Sequence, residues 1–252
     1  MIKILLCGCN GKMGQVITKA AEQQDDLKIV AGYDIADSGR NPYPVYTDLG
    51  RCNVRPDVLI DFSNPASLES LLSYASSNGI PAVIATTGLS QVQIRMLRNA
   101  SGRIPVFFSA NMSLGINLLI ELVTKTAKLL ESSFDIEIIE KHHNLKIDAP
   151  SGTALAIADA VNSVLEQKQE YVYDRHSRRK KRSRNEIGIH AVRGGTIVGE
   201  HSVIFAGNDE MIEISHTALS KEIFAVGALR AARFILGKKP GMYDMSDLVS
   251  QE

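Results

Sequence analysis

Lys3-Ile-Leu-Leu-Cys-Gly-Cys-Asn-Gly-Lys-Met-Gly14 is the stretch that decides the fold. Lys3 to Cys7 reads as a short strand buried on both faces. It runs into three glycines, Gly8, Gly11 and Gly14, spaced three apart. A helix-compatible stretch, Gln15 to Gln24, follows, and a second strand, Leu27 to Tyr33, ends at Asp34, 20 residues beyond Gly14. Strand, glycine turn, helix, strand and acid in that order make a dinucleotide-binding unit. The glycines let the backbone approach a pyrophosphate, and the acid holds an adenosine ribose hydroxyl. The spacing is Gly-x-x-Gly-x-x-Gly rather than the commoner Gly-x-Gly-x-x-Gly, so context and Asp34 carry the reading more than the glycines do.

The same alternation continues to about residue 112. Ile2 to Cys7, Leu27 to Tyr33, Asp57 to Phe62, Ala82 to Thr86 and Val106 to Ser109 read as buried parallel strands, with helices between them that include Pro65 to Asn78 and Ser90 to Ala100. After Ser113 the pattern changes: helix 115–131, strand 134–141, helix 152–167, then strands near 187–193, 199–206 and 210–217. Lys221 to Leu236 reads as a long helix returning to the first part. The expected fold is α/β, a Rossmann-type doubly wound parallel sheet over 1–113 and 220–252. A smaller α+β domain with an open sheet fills 114–219 and serves substrate binding and assembly. Alternation in Glu210-Met-Ile-Glu-Ile-Ser-His216 suggests one apolar face, which a lone subunit would leave wet. Val203 and Ile214 are candidates to face a partner, with the facing left open by a period of two.

Residues 137–154, Glu-Ile-Ile-Glu-Lys-His-His-Asn-Leu-Lys-Ile-Asp-Ala-Pro-Ser-Gly-Thr-Ala, carry the candidate chemistry. Successive strand side chains point to opposite faces, so His142 and His143 serve different purposes. Lys146 follows after a short loop. Ser151 or Thr153 caps the helix that begins there, and the amides of Gly152 and Thr153 stand at its positive end, where an anion binds well. Proton donors beside a carboxylate cradle suit an anionic substrate that must take up a proton. Paired histidines without a further Cys or His at ligand spacing are a poor zinc signature, so no metal is expected.

Composition narrows the class. Lys plus Arg and Asp plus Glu are both 28 in 252 residues, so no global field points to nucleic acid. Cys7, Cys9 and Cys52 are few and odd in number, which favours a reduced, cytoplasmic protein over a disulfide scaffold. Met1-Ile-Lys leads straight into a core strand with no signal peptide, and no apolar run approaches the roughly 20 residues of a membrane helix.

Several blocks now point to one family. Gly-Cys-Asn-Gly-Lys-Met-Gly14, Val58-Leu-Ile-Asp-Phe-Ser63 with Pro65, Ala85-Thr-Thr-Gly88, Ala110-Asn-Met-Ser113, Glu140 to Ala154, Ile189-His-Ala-Val-Arg-Gly-Gly195 and Val198-Gly-Glu-His201 occur in the order found in bacterial dihydrodipicolinate (4-hydroxy-tetrahydrodipicolinate) reductases of the lysine and diaminopimelate pathway. The chain resembles that family over nearly its full length. The resemblance implies reduction of a small cyclic dicarboxylate by NADH or NADPH. It implies a cofactor site of Gly8, Cys9, Asn10, Gly11, Lys12, Met13 and Asp34, with Thr86, Thr87, Gly88, Ala110, Asn111, Met112 and Ser113 on the nicotinamide side. It makes His142 the acid/base and Lys146 the proton donor, and it gives substrate binding to His143, Gly152 and Thr153. It also implies a homotetramer built through the second domain's sheet. Ile35 and Ala36 follow Asp34 where family members that favour NADPH place an Arg. NADH is therefore expected to be moderately preferred, softened by any reach of Lys12 or Arg40.

Arg175-His-Ser-Arg-Arg-Lys-Lys-Arg-Ser-Arg184 departs from the family, with seven Lys or Arg in ten and Ser177 and Lys180 where glycines are usual. Read alone it could be a nucleic-acid arm, but the balanced total charge and the lack of an aromatic-rich face argue against that. The expectation is a solvated, mobile loop near the substrate cleft, able at most to help draw in a dianion. The stronger rival is another dehydrogenase on a small dicarboxylate, because a shared first domain does not fix the chemistry.

Overall fold

The structure, a computed structural model, describes residues 1–251. The chain forms two compact units, Met1–Leu114 with the segment from Lys221 on, and Gly115–Ser220.

In the first unit, β1 (Ile2–Cys7), β2 (Leu27–Tyr33), β3 (Val45–Tyr46), β4 (Val58–Asp61), β5 (Ala82–Ile84), β6 (Pro105–Phe108) and, late in the chain, β12 (Gly241–Tyr243) form one parallel sheet. Its order is β12-β6-β5-β4-β1-β2-β3. The order of strand addition reverses at β1, which lies between β2 and β4, and that is where open α/β sheets bind nucleotides. Ile4 to Cys7 are wholly buried, as their unalternated sequence requires. The edge strands β3 and β12, two and three residues long, were not anticipated.

Helix α1 (Lys12–Glu22) begins three residues before Gln15, with Gly11 as its N-cap. Gly14 therefore lies inside the first turns, and a Cβ there would meet the Gly8 carbonyl at 2.3 Å. The third glycine serves close packing of helix on turn rather than the turn itself. A 3₁₀ turn at Pro65–Ser67 leads into α2 (Leu68–Asn78), and α3 (Gln91–Ser101) opens with a Ser90–Gln93 capping box. The later α6 (Glu222–Ile235) and α7 (Met245–Val249) pack into the same core, α6 through Ala225, Ala228, Ala231 and Ala232.

The second unit has a five-stranded mixed sheet, order β11-β10-β7-β9-β8. Its strands are β7 (Asp135–His142), β8 (Glu170–Val172, unanticipated), β9 (Glu186–Arg193), β10 (Gly199–Ala206) and β11 (Met211–Ala218). Side chains of α4 (Leu114–Leu130) and α5 (Gly152–Val164) join Ile136, Ile138, Ile187, Ile189, Val203 and Phe205 in one buried cluster. The β10–β11 register sets Ile214 opposite Val203, and Ile214 packs on that cluster. Both expected partner-facing positions therefore turn toward the subunit's own helices. The other face carries Ile139, Ile204 and Met211, a Ser202–Ser215 hydroxyl pair at 2.8 Å and a Lys141–Glu200 ion pair at 2.8 Å.

The basic run also differs from expectation. Arg182 donates to Asp135, to Glu137 and to the carbonyls of Ile136 and Glu186, and Arg175 pairs with Glu137 and Glu186. Arg178 pairs with Glu170. The carboxylates at the starts of β7 and β9 fix the loop in place. Glu137 lies five residues before His142 along β7, roughly 16 Å at strand rise. The loop is thus anchored away from the candidate chemistry, not beside it. Among the described residues no helix is long and apolar enough to cross a membrane.

Candidate active site

The nucleotide end of the first unit is built at the carboxyl ends of β1, β2, β4, β5 and β6. Gly8 has φ +77°, and a Cβ there would meet the Phe62 carbonyl oxygen at 2.6 Å, so the approach of this turn to β4 admits only glycine. Asn10 N donates to Asp34 Oδ2 and Ile35 N donates to Oδ1, each at 2.8 Å. Each carboxylate oxygen keeps a lone pair for a ribose hydroxyl. Asn10 is itself held by Ala36, Ser38 and Asn41. A cavity of about 510 Å³ opens here, lined by Gly8, Asn10, Gly11, Asp34, Ile35 and Ser38 among others. Neither Lys12 nor Arg40 reaches its lining. The Cys9 side chain is buried and turned into the core, leaving only its backbone for a ligand, and Met13 packs on the same core.

On the neighbouring strands, Thr86 Oγ1 donates to Asp61 Oδ2 at 2.7 Å, and Ser63 donates to Oδ1 through both amide and hydroxyl. Asp61 is fully buried, and desolvation pushes its carboxyl up despite those three donors. It clamps the loop in which Thr87 and Gly88 stand exposed. After β6, Ser109 Oγ donates to the Asn111 carbonyl and Ser113 N donates to Asn111 Oδ1. Ala110 is exposed, Asn111 is half-buried, and Met112 and Ser113 are buried.

In the second unit the chemistry gathers at the end of β7. His142 is buried, and its Nδ1 lies 2.6 Å from Glu140 Oε2. Glu140 is wholly buried. Its Oε1 accepts from Ser151 N at 2.9 Å and Arg193 Nη2 at 2.7 Å, and its Oε2 also accepts from Arg193 Nη1 at 2.8 Å. Burial pushes this carboxyl up, but Arg193 and His142 outweigh burial and hold it below its ordinary value. Ser151, the N-cap of α5, accepts from Ala154 N and faces His201 Nε2 at 3.1 Å. Burial and the neighbouring His142 push His201 down to about 4. The two imidazoles meet edge to face at 5.2 Å.

His143, one residue past the strand, is half-buried, and its Nδ1 has no protein partner. Lys146 donates to the Asp148 carboxylate at 2.8 Å, and that ammonium holds the Asp148 carboxyl below its ordinary value. A carboxylate therefore already sits on the Lys146 ammonium, one of the donors expected to hold a substrate carboxylate. Glu140 joins His142 to the Ser151 amide at the start of α5, Lys146 lies on the loop between them, and Ser151 rather than Thr153 supplies the cap. Glu140, Arg193 and His201 had no assigned role in the sequence. The available signal was Glu140 itself, an acid on the apolar side of β7 two residues from His142, which demands buried partners.

Comparison with known proteins agrees with both halves. Residues 2–112 match the family model described as dihydrodipicolinate reductase, N-terminus, and residues 115–249 match its C-terminus counterpart. The 4-hydroxy-tetrahydrodipicolinate reductase of Caldanaerobacter subterraneus subsp. tengcongensis is 56% identical over 251 residues, 100% of this chain and 99% of the relative. That of Clostridium tetani is 50% identical over 250 residues, 99% and 98% of the two chains. The dipicolinate-bound dihydrodipicolinate reductase structure from Paenisporosarcina sp. TG-14 shares the fold, with TM-score 0.81 at 24% identity over 98% of this chain and 99% of that one. With each unit matched by its own half of the family and relatives identical at half or more of their positions, the chain belongs to the dihydrodipicolinate reductases.

Proposed function

We propose that this chain reduces 4-hydroxy-tetrahydrodipicolinate to tetrahydrodipicolinate with a pyridine dinucleotide, a step of lysine and diaminopimelate biosynthesis. The observation that carries the reading is the buried Glu140–His142 pair at the capped start of α5, with Lys146 on the intervening loop. The glycine-only approach at Gly8, the cavity beside it and the free lone pairs of Asp34 fit an adenosine diphosphate moiety. When bound, the cofactor supplies a hydride. The chain must then deliver a proton to a ring that has gained two electrons and must hold two carboxylates.

His142 is the proton-handling base and acid, with its Nε2 side free of the Glu140 bond, and Lys146 is the proton donor on the loop before α5. Gly152 and Thr153 amides and His143 hold the substrate's carboxylates, the substrate displacing Asp148 from Lys146. Met13, Lys12 and the 8–11 backbone border the phosphates, and Thr86–Gly88 with Ala110–Ser113 border the nicotinamide.

NADH is the preferred cofactor, with NADPH accepted more weakly. Asp34 repels a 2′-phosphate, and no cation lines its cavity to offset that charge. The open face of the second sheet is covered by other copies in a homotetramer. Three free thiols, two of them in the core, fit a reducing cytoplasmic setting. A coupled assay tests the reaction: freshly made aldolase-type synthase product is added with NADH or NADPH, and loss of the dihydronicotinamide absorbance is followed. Rapid oxidation that depends on the synthase product is expected. No oxidation with either cofactor would overturn the reading.

A further inference from the structure

Three donors converge on Glu140, and one of them reaches further. Arg193 Nη1 and Nη2 take both Glu140 oxygens, while Nη2 also donates to the Asp148 carbonyl at 2.6 Å. Asp148 in turn holds the Lys146 ammonium. Backbone bonds run the same way: Gly194 N donates to the His142 carbonyl and Asn144 N to the Gly195 carbonyl. One guanidinium on β9 thus grips the anion behind His142 and the loop that carries Lys146.

The geometry also dictates a tautomer. Glu140 is an anion whose four acceptor positions are filled by Arg193 twice, the Ser151 amide and His142 Nδ1. A carboxylate can only accept, so His142 Nδ1 bears the hydrogen and Nε2 is the working nitrogen. Room at Nε2 depends on position 199, because a Cβ on Gly199 would stand 3.0 Å from it. The charged and titratable groups around His142 are Glu140 on its own strand, Arg193 opposite it on β9 and the neutral His201 on β10, with Lys146 acting on His201 from the following loop.

We propose that Arg193 and Glu140 are positioning residues for proton delivery: Glu140 fixes the His142 tautomer, and Arg193 locks Glu140 while tying the Lys146 loop to it. This rests on the reductase reading above. It goes beyond that reading because the reading gives neither residue a role, and both are engaged with protein partners. The expected pattern is a loss in turnover with little change in substrate affinity, since the carboxylate cradle at α5 stays in place.

The test uses full-length protein carrying ¹⁵N-labelled histidine and four variants: Glu140→Gln, Arg193→Lys, Arg193→Met and the charge-neutral double Glu140→Gln/Arg193→Met. The double guards against a misfolded single variant, because it leaves no unpaired buried charge. Wild type should show the His142 resonance as the Nδ1–H form. Glu140→Gln and the double should lose that preference and fall about 100-fold in kcat, with KM within about threefold, the scale on which misplacing a reacting group is felt. Arg193→Lys should recover part of what Arg193→Met loses. Folded Glu140→Gln and double variants that keep the Nδ1–H form and near-native kcat would overturn the proposal. Wild type that shows the Nδ1–H form but no reductase turnover would instead overturn the function reading and leave the tautomer assignment standing.

Discussion

Lowering the pH from 8 to 5 should destabilise this fold through His201. His201 is 4% exposed and is pushed down to about 4 by burial and by His142. Unfolded, the same imidazole titrates near 6.5. Between those values the unfolded chain binds a proton that the fold refuses, so stability rises with pH across the window and falls as pH drops through it. At pH 5 the linkage from these two values is about 2 kcal/mol relative to pH 8, approaching about 3 kcal/mol at pH 4.

Other groups pull differently. His216, also lowered by burial, adds in the same direction. Buried Asp61, whose carboxyl is raised, opposes it, because the fold then prefers the protonated form. Glu137 and Glu140 are lowered, so their contribution is present above about 4.5 and is lost only below that. Comparing wild type with His201→Gln cancels these shared terms, and the Gln side chain can still accept from Ser151. Urea unfolding at pH 5, 6, 7 and 8 gives the difference. The wild type should lose about 2 kcal/mol more than the variant between pH 8 and pH 5. Equal losses would refute the assignment of His201 as a buried neutral imidazole.

The remaining predictions concern cofactor, thiols and assembly. Asp34→Ala should shift the kcat/KM ratio toward NADPH by about tenfold, the Coulomb scale for a carboxylate near a phosphate; a strong native preference for NADPH that Lys12→Ala abolishes would show that the cation governs the site. Burial and Asp34 push Cys9 up to about 12, and burial pushes the Cys7 thiol well up from its usual range. Native protein should therefore label at the partly exposed Cys52 alone, with all three thiols reacting in denaturant; rapid native labelling of Cys9 by mass spectrometry would contradict this. On the open sheet face, Ile204→Asp should lower the assembly state in light scattering while leaving circular dichroism intact. Val203→Asp, which puts a charge into the helix-covered core, should prevent folding; the reverse outcome would mean the faces are assigned the wrong way round.

The first unit was largely legible because its signals are local. An unalternated apolar strand, a glycine turn and an acid at a fixed distance need no knowledge of the rest of the chain. β3 and β12 escaped because strands of two or three residues have no period to detect. The start of α1 was misplaced because Gly14 was read as turn when it is helix packed on turn. In the second unit His142, Lys146 and the α5 start were visible as a contiguous motif.

What was missed there lies in long-range pairing. Arg182 finds Glu137 across 45 residues, and Arg193 finds Glu140 across 53. A basic run therefore looked solvated, and a conspicuous buried ion pair went unassigned. Which face of β10 and β11 meets the helices was undecidable from alternation, since a period of two marks two faces without naming either.

Proton delivery by His142 and Lys146 is the claim on which the functional account stands, and turnover of His142→Gln and Lys146→Ala at saturating substrate tests it most directly. Each should fall by about two to four decades, the scale for a positioned acid or base, with dinucleotide binding by the first unit unchanged. Near-native turnover in both variants would contradict the account.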